Sequence, residues 1–236
     1  MIKEAIILAG GLGTRLRPLI SDVPKCMAPI NGKPFLHYLL ENFKNKGIEN
    51  FIFSVGHLHE MIEEYLIKNY AHLNYKIALE TEPLGTGGAI KSACGKTSQT
   101  NILVCNGDTF YNIDVDALYL FHEEKKSICS LCLKPMQNFD RYGAVELNSD
   151  HSIKNFKEKS FYTSGLINGG IYILNVKEFF KENLPEKFSF EKDYLENNIH
   201  QPGEKQNLFG MIQDKYFIDI GIPGDYEKAQ RELADN

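Results

Sequence analysis

Leu8-Ala9-Gly10-Gly11-Leu12-Gly13-Thr14-Arg15-Leu16-Arg17-Pro18 continues a short apolar run, Ala5-Ile6-Ile7-Leu8-Ala9. An apolar run of that length stopped by glycine predicts a buried strand. Glycines directly after a strand let backbone N–H groups approach phosphates closely. The stretch is not a Walker A loop, because no Gly-Lys-Ser/Thr follows. It is not the dinucleotide fingerprint either, because position 16 is leucine. Arg15, Arg17 and Lys25 place three cations in or just beyond the loop, which suits a triphosphate and a second phosphate. By themselves the glycines leave a plain surface loop as the alternative.

Outward from this stretch, strands alternate with helices. Phe35, Leu36, Leu39, Leu40 and Phe43 recur at a helical period, with Pro34 before them and Gly47 after. Phe51–Val55 is strand-like, and Met61, Ile62, Tyr65 and Leu66 mark a second helix. Tyr75–Leu79 predicts a third strand, Thr86–Lys96 a helix reached through glycines, and Asn101–Cys105 a fourth strand. That strand runs straight into Asn106-Gly107-Asp108. The second half is richer in strands: Ser127–Lys134, Ala144–Leu147, Ile153–Phe156 and Gly170–Leu174 look extended. Lys177–Phe180, Phe190–Ile199 and Tyr226–Leu233 look helical. The pattern predicts an α/β fold, Rossmann-like, with a mixed but mostly parallel central sheet flanked by helices. Neither repeat nor linker is visible. One domain, 1–236, is expected, with a nucleotide-binding half at about 1–125 and a sugar-binding half at about 126–236. Ligands of such sheets bind beyond the carboxyl ends of the strands. The glycine loop, the Glu80 region and Asp108 all fall at such ends.

Composition narrows the function further. The 236 residues are 43% apolar and 24% charged, enough for one sizeable core and too apolar for disorder. The net charge of −5 and the lack of a basic stripe argue against a nucleic-acid partner. No apolar stretch approaches the ~18 residues that a membrane span needs. The run after Met1 is too short for a secretory core, so a cytoplasmic location is expected. The five cysteines are scattered. Cys129 and Cys132 have C-x-x-C spacing but sit on a strand, where residues three apart face opposite ways and chelate poorly. They read as small buried hydrophobes in a reducing compartment.

Two acids stand out. Asp108 after an apolar strand reads alone as a tight turn. Asp219 lies between Ile218 and Ile220, where an unpaired charge is costly to bury, so a cationic partner is expected. Asp114 and Asp116 read as the acidic start of a helix. His57 and His59 read as loop or cap residues.

The loop at 8–18, followed by Pro24-Lys25-Cys26-Met27, resembles the signature of the sugar-phosphate nucleotidyltransferases. The likeness continues through Glu82–Ala89, Asn106–Asp108, Phe156–Lys159, Asn168–Tyr172 and Phe217–Pro223, in family order and over nearly the whole chain. Asn138–Gly143 and Glu186–Glu191 are most similar to the branch that acts on D-glycero-α-D-manno-heptose 1-phosphate. Cys26 replaces the usual second proline of Pro-Lys-Pro-Met, Ile20 replaces a threonine, and the usual Asp-x-Gly-Thr-Pro reads Asp219-Ile220-Gly221-Ile222-Pro223. None of these departures removes a charge.

The resemblance implies a nucleotide-diphospho-sugar transferase-like fold and in-line attack by a sugar-phosphate oxygen on the α-phosphorus of a triphosphate. Catalysis is then positioning plus charge stabilisation. On that basis Arg15 grips the departing pyrophosphate, Lys25 neutralises the reacting phosphates, and Asp108 and Asp219 hold Mg²⁺. Leu8, Ala9, Gly10, Gly11, Gly13, Thr14, Gly85, Thr86 and Gly87 line the nucleotide. Guanine presents N1–H and N2–H₂ side by side, which a carboxylate accepts together. Glu80 stands at the spacing of the base-reading residue, with Glu82 as the alternative and a solvated turn as the plain one. GTP is therefore the expected donor. Gly143, Glu158, Lys159, Asn168 and Gly169 are implied on the sugar-phosphate side. The expected reaction transfers GMP from GTP to the heptose 1-phosphate, giving GDP-heptose, a surface-polysaccharide precursor, and pyrophosphate.

Mannose 1-phosphate is the alternative acceptor, and glucose 1-phosphate thymidylyl or cytidylyl transfer ranks behind it. A catalytically silent regulatory subunit would be expected to lose Arg15, Lys25, Asp108 or Asp219, and all four are present. A retaining glycosyltransferase has no need of the phosphate loop. Self-association into a homo-oligomer is left open.

Overall fold

The structure is a computed structural model, and it describes residues 1–11, 22–157, 159–199 and 206–233. In chain order, β1 (Glu4–Leu8) leads through a 3₁₀ turn at Lys25–Met27 to the small hairpin β2 (Pro29–Ile30) and β3 (Lys33–Pro34). Then come α1 (Phe35–Lys44), β4 (Asn50–Val55), α2 (His59–Asn69), β5 (Asn74–Leu79), α3 (Gly85–Cys94) and β6 (Asn101–Asn106). The chain continues through β7 (Thr109–Tyr111), α4 (Val115–Lys125), β8 (Cys129–Phe139), β9 (Ala144–Leu147), β10 (Ile153–Lys157), β11 (Tyr162–Asn175) and α5 (Val176–Phe179). A π-helix at Phe190–Leu195 precedes β12 (Leu208–Ile212), β13 (Phe217–Asp219) and α6 (Pro223–Glu232).

Nine described strands form one sheet, with the order β10-β9-β11-β6-β1-β4-β5, β8 pairing with β11 and β12 with β8. Strands β6, β1, β4 and β5 are mutually parallel, as the strand–helix alternation requires. Beyond β6 the sheet turns antiparallel through β11, which pairs with β6, β8 and β9. The result is the expected mixed sheet flanked by helices, with its parallel spine in the first half.

Side chains alternate across this spine. Ala5 and Ile7, Phe51 and Phe53, and Leu103 and Cys105 face α1, α2 and α4. Ile6, Ile52, Ile102 and Val104 face α3 and the π-helix. Cys129 and Cys132 fall into opposite layers, as their spacing on a strand demands, and all five cysteines are buried and free. Asp114 caps α4 by accepting from the Ala117 amide at 2.9 Å, which agrees with its structural reading. Among the described residues, no helix is long and apolar enough to cross a membrane.

Some elements are absent from the sequence pattern. β2, β3, β7 and β13 are two or three residues long, too short to show a period. β12 contains Gly210, where an added Cβ would come within 2.5 Å of the Leu133 side chain. That glycine permits close packing and also breaks the strand signal. The predicted helix at 190–199 is instead the π-helix followed by a 3₁₀ turn at Glu196–Asn198.

His122 on α4 is 1% exposed, and its Nδ1 lies 2.9 Å from Ser130 Oγ. Burial pulls its pKa down from 6.5 to about 4. The unfolded chain therefore takes up a proton that the folded chain refuses. This contribution to stability is intact above about pH 6.5 and is lost as pH falls toward about 4. Urea unfolding across that window should show the loss, and His122→Gln should flatten part of the slope. Equal slopes for the two proteins would contradict this assignment.

Candidate active site

Parallel strands share a carboxyl edge, so β1, β5 and β6 deliver Leu8, Leu79 and Asn106 to one rim. A cleft of about 1080 Å³ opens there. Its walls are residues 8–11, 56–60, 79–83 and 106–108, with Lys25, Gly85 and Thr86 among the others. The rim is fixed by backbone bonds that continue the sheet: Ala9 N–H donates to Ser54 O at 2.7 Å, and Gly107 N–H to Leu8 O at 3.0 Å. A Cβ on Gly107 would sit 2.5 Å from the Leu8 carbonyl, so only glycine allows this turn.

Asp108 follows directly on β6. The antiparallel ribbon of β7 and β13 pairs Asp219 with Thr109 and so carries Asp219 beside Asp108. The Ile220 amide closes the arrangement by donating to the Asp108 carbonyl at 3.0 Å. Lys25 comes from the 3₁₀ turn after Pro24, whose Cys26 is buried in the core. Its Nζ hydrogen-bonds Asp108 and stands 3.8 Å from Asp219 Oδ1. This is the cationic partner that the sequence demanded for Asp219. Gly221 N–H donates to Asp219 Oδ1 at 2.6 Å, and Tyr142 OH donates to Oδ2 at 3.3 Å. Burial and the neighbouring Asp108 charge still raise the Asp219 pKa, against the pull of Lys25 and the Gly221 amide. The Cys26 thiol is pushed up to about 12 by burial and the Asp108 charge, which leaves it unreactive.

Among the described residues, no group of three or more His, Cys, Asp or Glu side chains is arranged to hold a metal ion. The donor set that is present is two carboxylates pressed together, with Asp219 destabilised by its neighbour. Such a pair fits a hard cation that brings its remaining oxygen ligands with it, as Mg²⁺ does with phosphate and water.

At the other end of the cleft, Glu80 is held on both carboxylate oxygens. Ser54 Oγ donates to Oε1 at 3.1 Å, and the Leu84 amide donates to Oε2 at 3.2 Å. Glu82 lines the same cleft in an exposed turn. Gly85 and Thr86 also reach the cleft, while Thr86 Oγ1 donates to Glu191 and accepts from the Phe190 amide.

Other expected positions fall elsewhere. Gly87 is not on the cleft: its amide donates to Phe188 O at 3.0 Å, and an added Cβ would lie 2.1 Å from the Phe188 ring. It is a packing glycine that seats the 186–190 segment on α3. Gly143, Lys159, Asn168 and Gly169 are likewise not among the cleft residues. Asn168 spends its amide on Tyr172 OH and its oxygen on the Gly170 amide. Gly169 and Gly143 are hemmed in, by the Tyr111 ring and by the Lys157 carbonyl. Lys159 is exposed. Gly13, Thr14, Arg15 and Glu158 lie outside the described residues.

His57 and His59, read from the sequence as loop or cap residues, line the cleft at the start of α2 together with Leu58, which the sequence did not single out. Leu58 has a φ of 59°, strain that a leucine rarely bears and that often marks a functional turn. Tyr142 reaches Asp219 from 77 residues away, and Arg141 pairs with Asp225. Only the fold creates these contacts, so no local pattern could reveal them.

A glycine-flanked cleft at the carboxyl edge of a parallel sheet, with Lys25 and Asp108 at one end and Asp219 behind them against Lys25, defines an α/β nucleotide-binding protein. The chain matches the nucleotidyl transferase family over residues 4–236 and belongs to that family. It is 49% identical to the D-glycero-α-D-manno-heptose 1-phosphate guanylyltransferase of Aneurinibacillus thermoaerophilus, covering 98% of both chains. Identity to the enzyme of the same name from Campylobacter jejuni is 47%, over 94% of this chain and 96% of that one. The crystal structure of HddC from Yersinia pseudotuberculosis superposes with a TM-score of 0.86 at 36% identity, covering 98% of this chain and 100% of that one. HddC has also been crystallised complexed with GMP-PN, and that structure superposes with a TM-score of 0.85. The chain is thus a sugar-1-phosphate nucleotidyltransferase of mixed α/β fold.

Gly87→Ala should cost ~1–3 kcal/mol in urea unfolding, because the Phe188 ring must move. In a Phe188→Ala background that penalty should vanish. A penalty of the same size in both backgrounds would show that Gly87 is required for something other than this packing.

Proposed function

We propose that the chain transfers GMP from GTP to D-glycero-α-D-manno-heptose 1-phosphate, giving GDP-heptose and pyrophosphate. The observation that carries the proposal is the pairing, in one cleft, of Lys25 and Asp108, backed by Asp219, with the Glu80 carboxylate held at the far end. The first handles phosphates, and the second accepts the adjacent N–H donors of guanine. Identity of 47–49% to guanylyltransferases for that heptose phosphate supports both substrates, and the GMP-PN complex of HddC supports the guanine nucleotide.

In this reading Gly10 and Gly11 give the triphosphate close backbone approach, with Gly13, Thr14 and Arg15 completing the loop and Arg15 gripping the leaving pyrophosphate. Lys25 exchanges its carboxylate partners for phosphate oxygens as the substrates enter. Asp108 and Asp219 would hold Mg²⁺, which supplies charge neutralisation to the bound phosphates. An oxygen of the sugar phosphate attacks the α-phosphorus, the new P–O bond forms as the bond to the β-phosphate oxygen breaks, and pyrophosphate departs. Glu158, Lys159, Gly143, Asn168 and Gly169 are assigned to the acceptor side on the family resemblance. Tyr142 orients Asp219 through its hydroxyl. The chain works as one domain, with a nucleotide half at about 1–125 and a sugar half at about 126–236. Five buried free thiols suit a reducing cytoplasm. The product would feed surface polysaccharide assembly.

Pyrophosphate release, measured with GTP, ATP, CTP, UTP and dTTP against heptose, mannose and glucose 1-phosphates, tests the proposal. GTP with the heptose phosphate should give the highest kcat/KM. Glu80→Gln should lose about ten- to a hundredfold with GTP and gain relative use of UTP or ATP. Equal use of GTP and UTP by the native chain, or a preference for mannose 1-phosphate, would overturn the base or the sugar assignment.

A further inference from the structure

We propose that Ser54 is a positioning residue for base selection, fixing the Glu80 carboxylate so that both of its oxygens face guanine. The proposal rests on the reading of Glu80 as the group that contacts the base.

Ser54 lies in β4, between Phe53 and Val55, and is 1% exposed. It shares a face with Ile52, in a row where an apolar side chain would pack without cost. A buried hydroxyl needs a partner, and the partner here is Glu80 Oε1 at 3.1 Å. Two further features fix the same carboxylate. The Leu84 amide donates to Oε2 at 3.2 Å. Gly10 leaves room for Oε1, since a Cβ at that position would lie 2.6 Å from it. The Glu80 backbone is itself pinned to the sheet, its amide donating to Val55 O at 2.8 Å.

Each carboxylate oxygen has two acceptor positions. Ser54 takes one on Oε1 and Leu84 one on Oε2. One position is then left on each oxygen, and guanine N1–H and N2–H₂ form a matching pair of donors. Without the Ser54 hydroxyl the carboxylate can rotate about its last bond and present one oxygen instead of two. Pre-set orientation of this kind governs discrimination more than turnover.

ITP isolates the effect, because hypoxanthine keeps N1–H and lacks the 2-amino group. The measurement is the ratio of kcat/KM for GTP to that for ITP, with the heptose 1-phosphate as acceptor. Ser54→Ala should lower the ratio about tenfold, chiefly through the GTP KM, with kcat and the acceptor KM unchanged. Ser54→Thr keeps a hydroxyl and should restore the native ratio. Ser54→Cys, close in size but a weaker donor, should lower it part of the way and stands in for Ser54→Ala if that variant does not fold. A general packing defect would weaken GTP and ITP equally and leave the ratio native. A native ratio in Ser54→Ala, or in Ser54→Cys where that variant stands in, alongside a reduced ratio in Glu80→Gln overturns the role of Ser54 alone. A native ratio in Glu80→Gln overturns the assignment of Glu80 to the base, and the role of Ser54 with it.

Discussion

Two carboxylates, Asp108 and Asp219, are forced together beside a single ammonium, Lys25. Like charges at that range repel, and burial worsens the repulsion for Asp219. The fold accepts this cost and surrounds it with compensation: the Lys25 ammonium, the Gly221 amide and the Tyr142 hydroxyl all point at the pair. Concentrated negative charge of this kind favours the approach of a further cation. Much of the local architecture serves the pairing. The β7–β13 ribbon is three residues long on each side, and its register sets Asp219 against the residue after Asp108.

The parallel spine makes the rest of the cleft follow. Because β6, β1, β4 and β5 point the same way, their ends supply Asp108, Gly10 and Gly11, the α2 start and Glu80 along one edge. The Lys25–Asp108 end of the cleft and the Glu80 end are therefore separated by the width of neighbouring strands. The antiparallel half contributes differently. Its turn at 140–143 sends Arg141 to Asp225 of α6 and Tyr142 to Asp219 of β13.

The spine was legible in the sequence because its strands are apolar runs separated by helices of clear period. The positions of Gly10, Gly11, Asp108, Asp219 and Glu80 were legible because each stands at a strand end or interrupts an apolar run, and Lys25 because it is a cation that follows the glycine stretch. Gly87 was less legible, because a glycine that seats a phenylalanine ring and a glycine that admits a phosphate look the same in one dimension. Asn168 is similar: its hydrogen bonds to Tyr172 and Gly170 inside the β11 bulge region arise from the fold, not from a local pattern. Ser54 was invisible because its partner is 26 residues away and only parallel pairing brings β4 beside β5. Short ribbons and contacts between loops leave no period to read. That is why the residues at the strand ends were clear in the sequence and those that depend on long-range contacts were faint.

A crystal structure of the chain with GTP and Mg²⁺ tests the central claim most directly. The account expects Asp108 and Asp219 on the ion, the Lys25 ammonium moved onto phosphate oxygens, and guanine against Glu80. A nucleotide bound elsewhere, with Lys25 still bridging the two carboxylates, would contradict it.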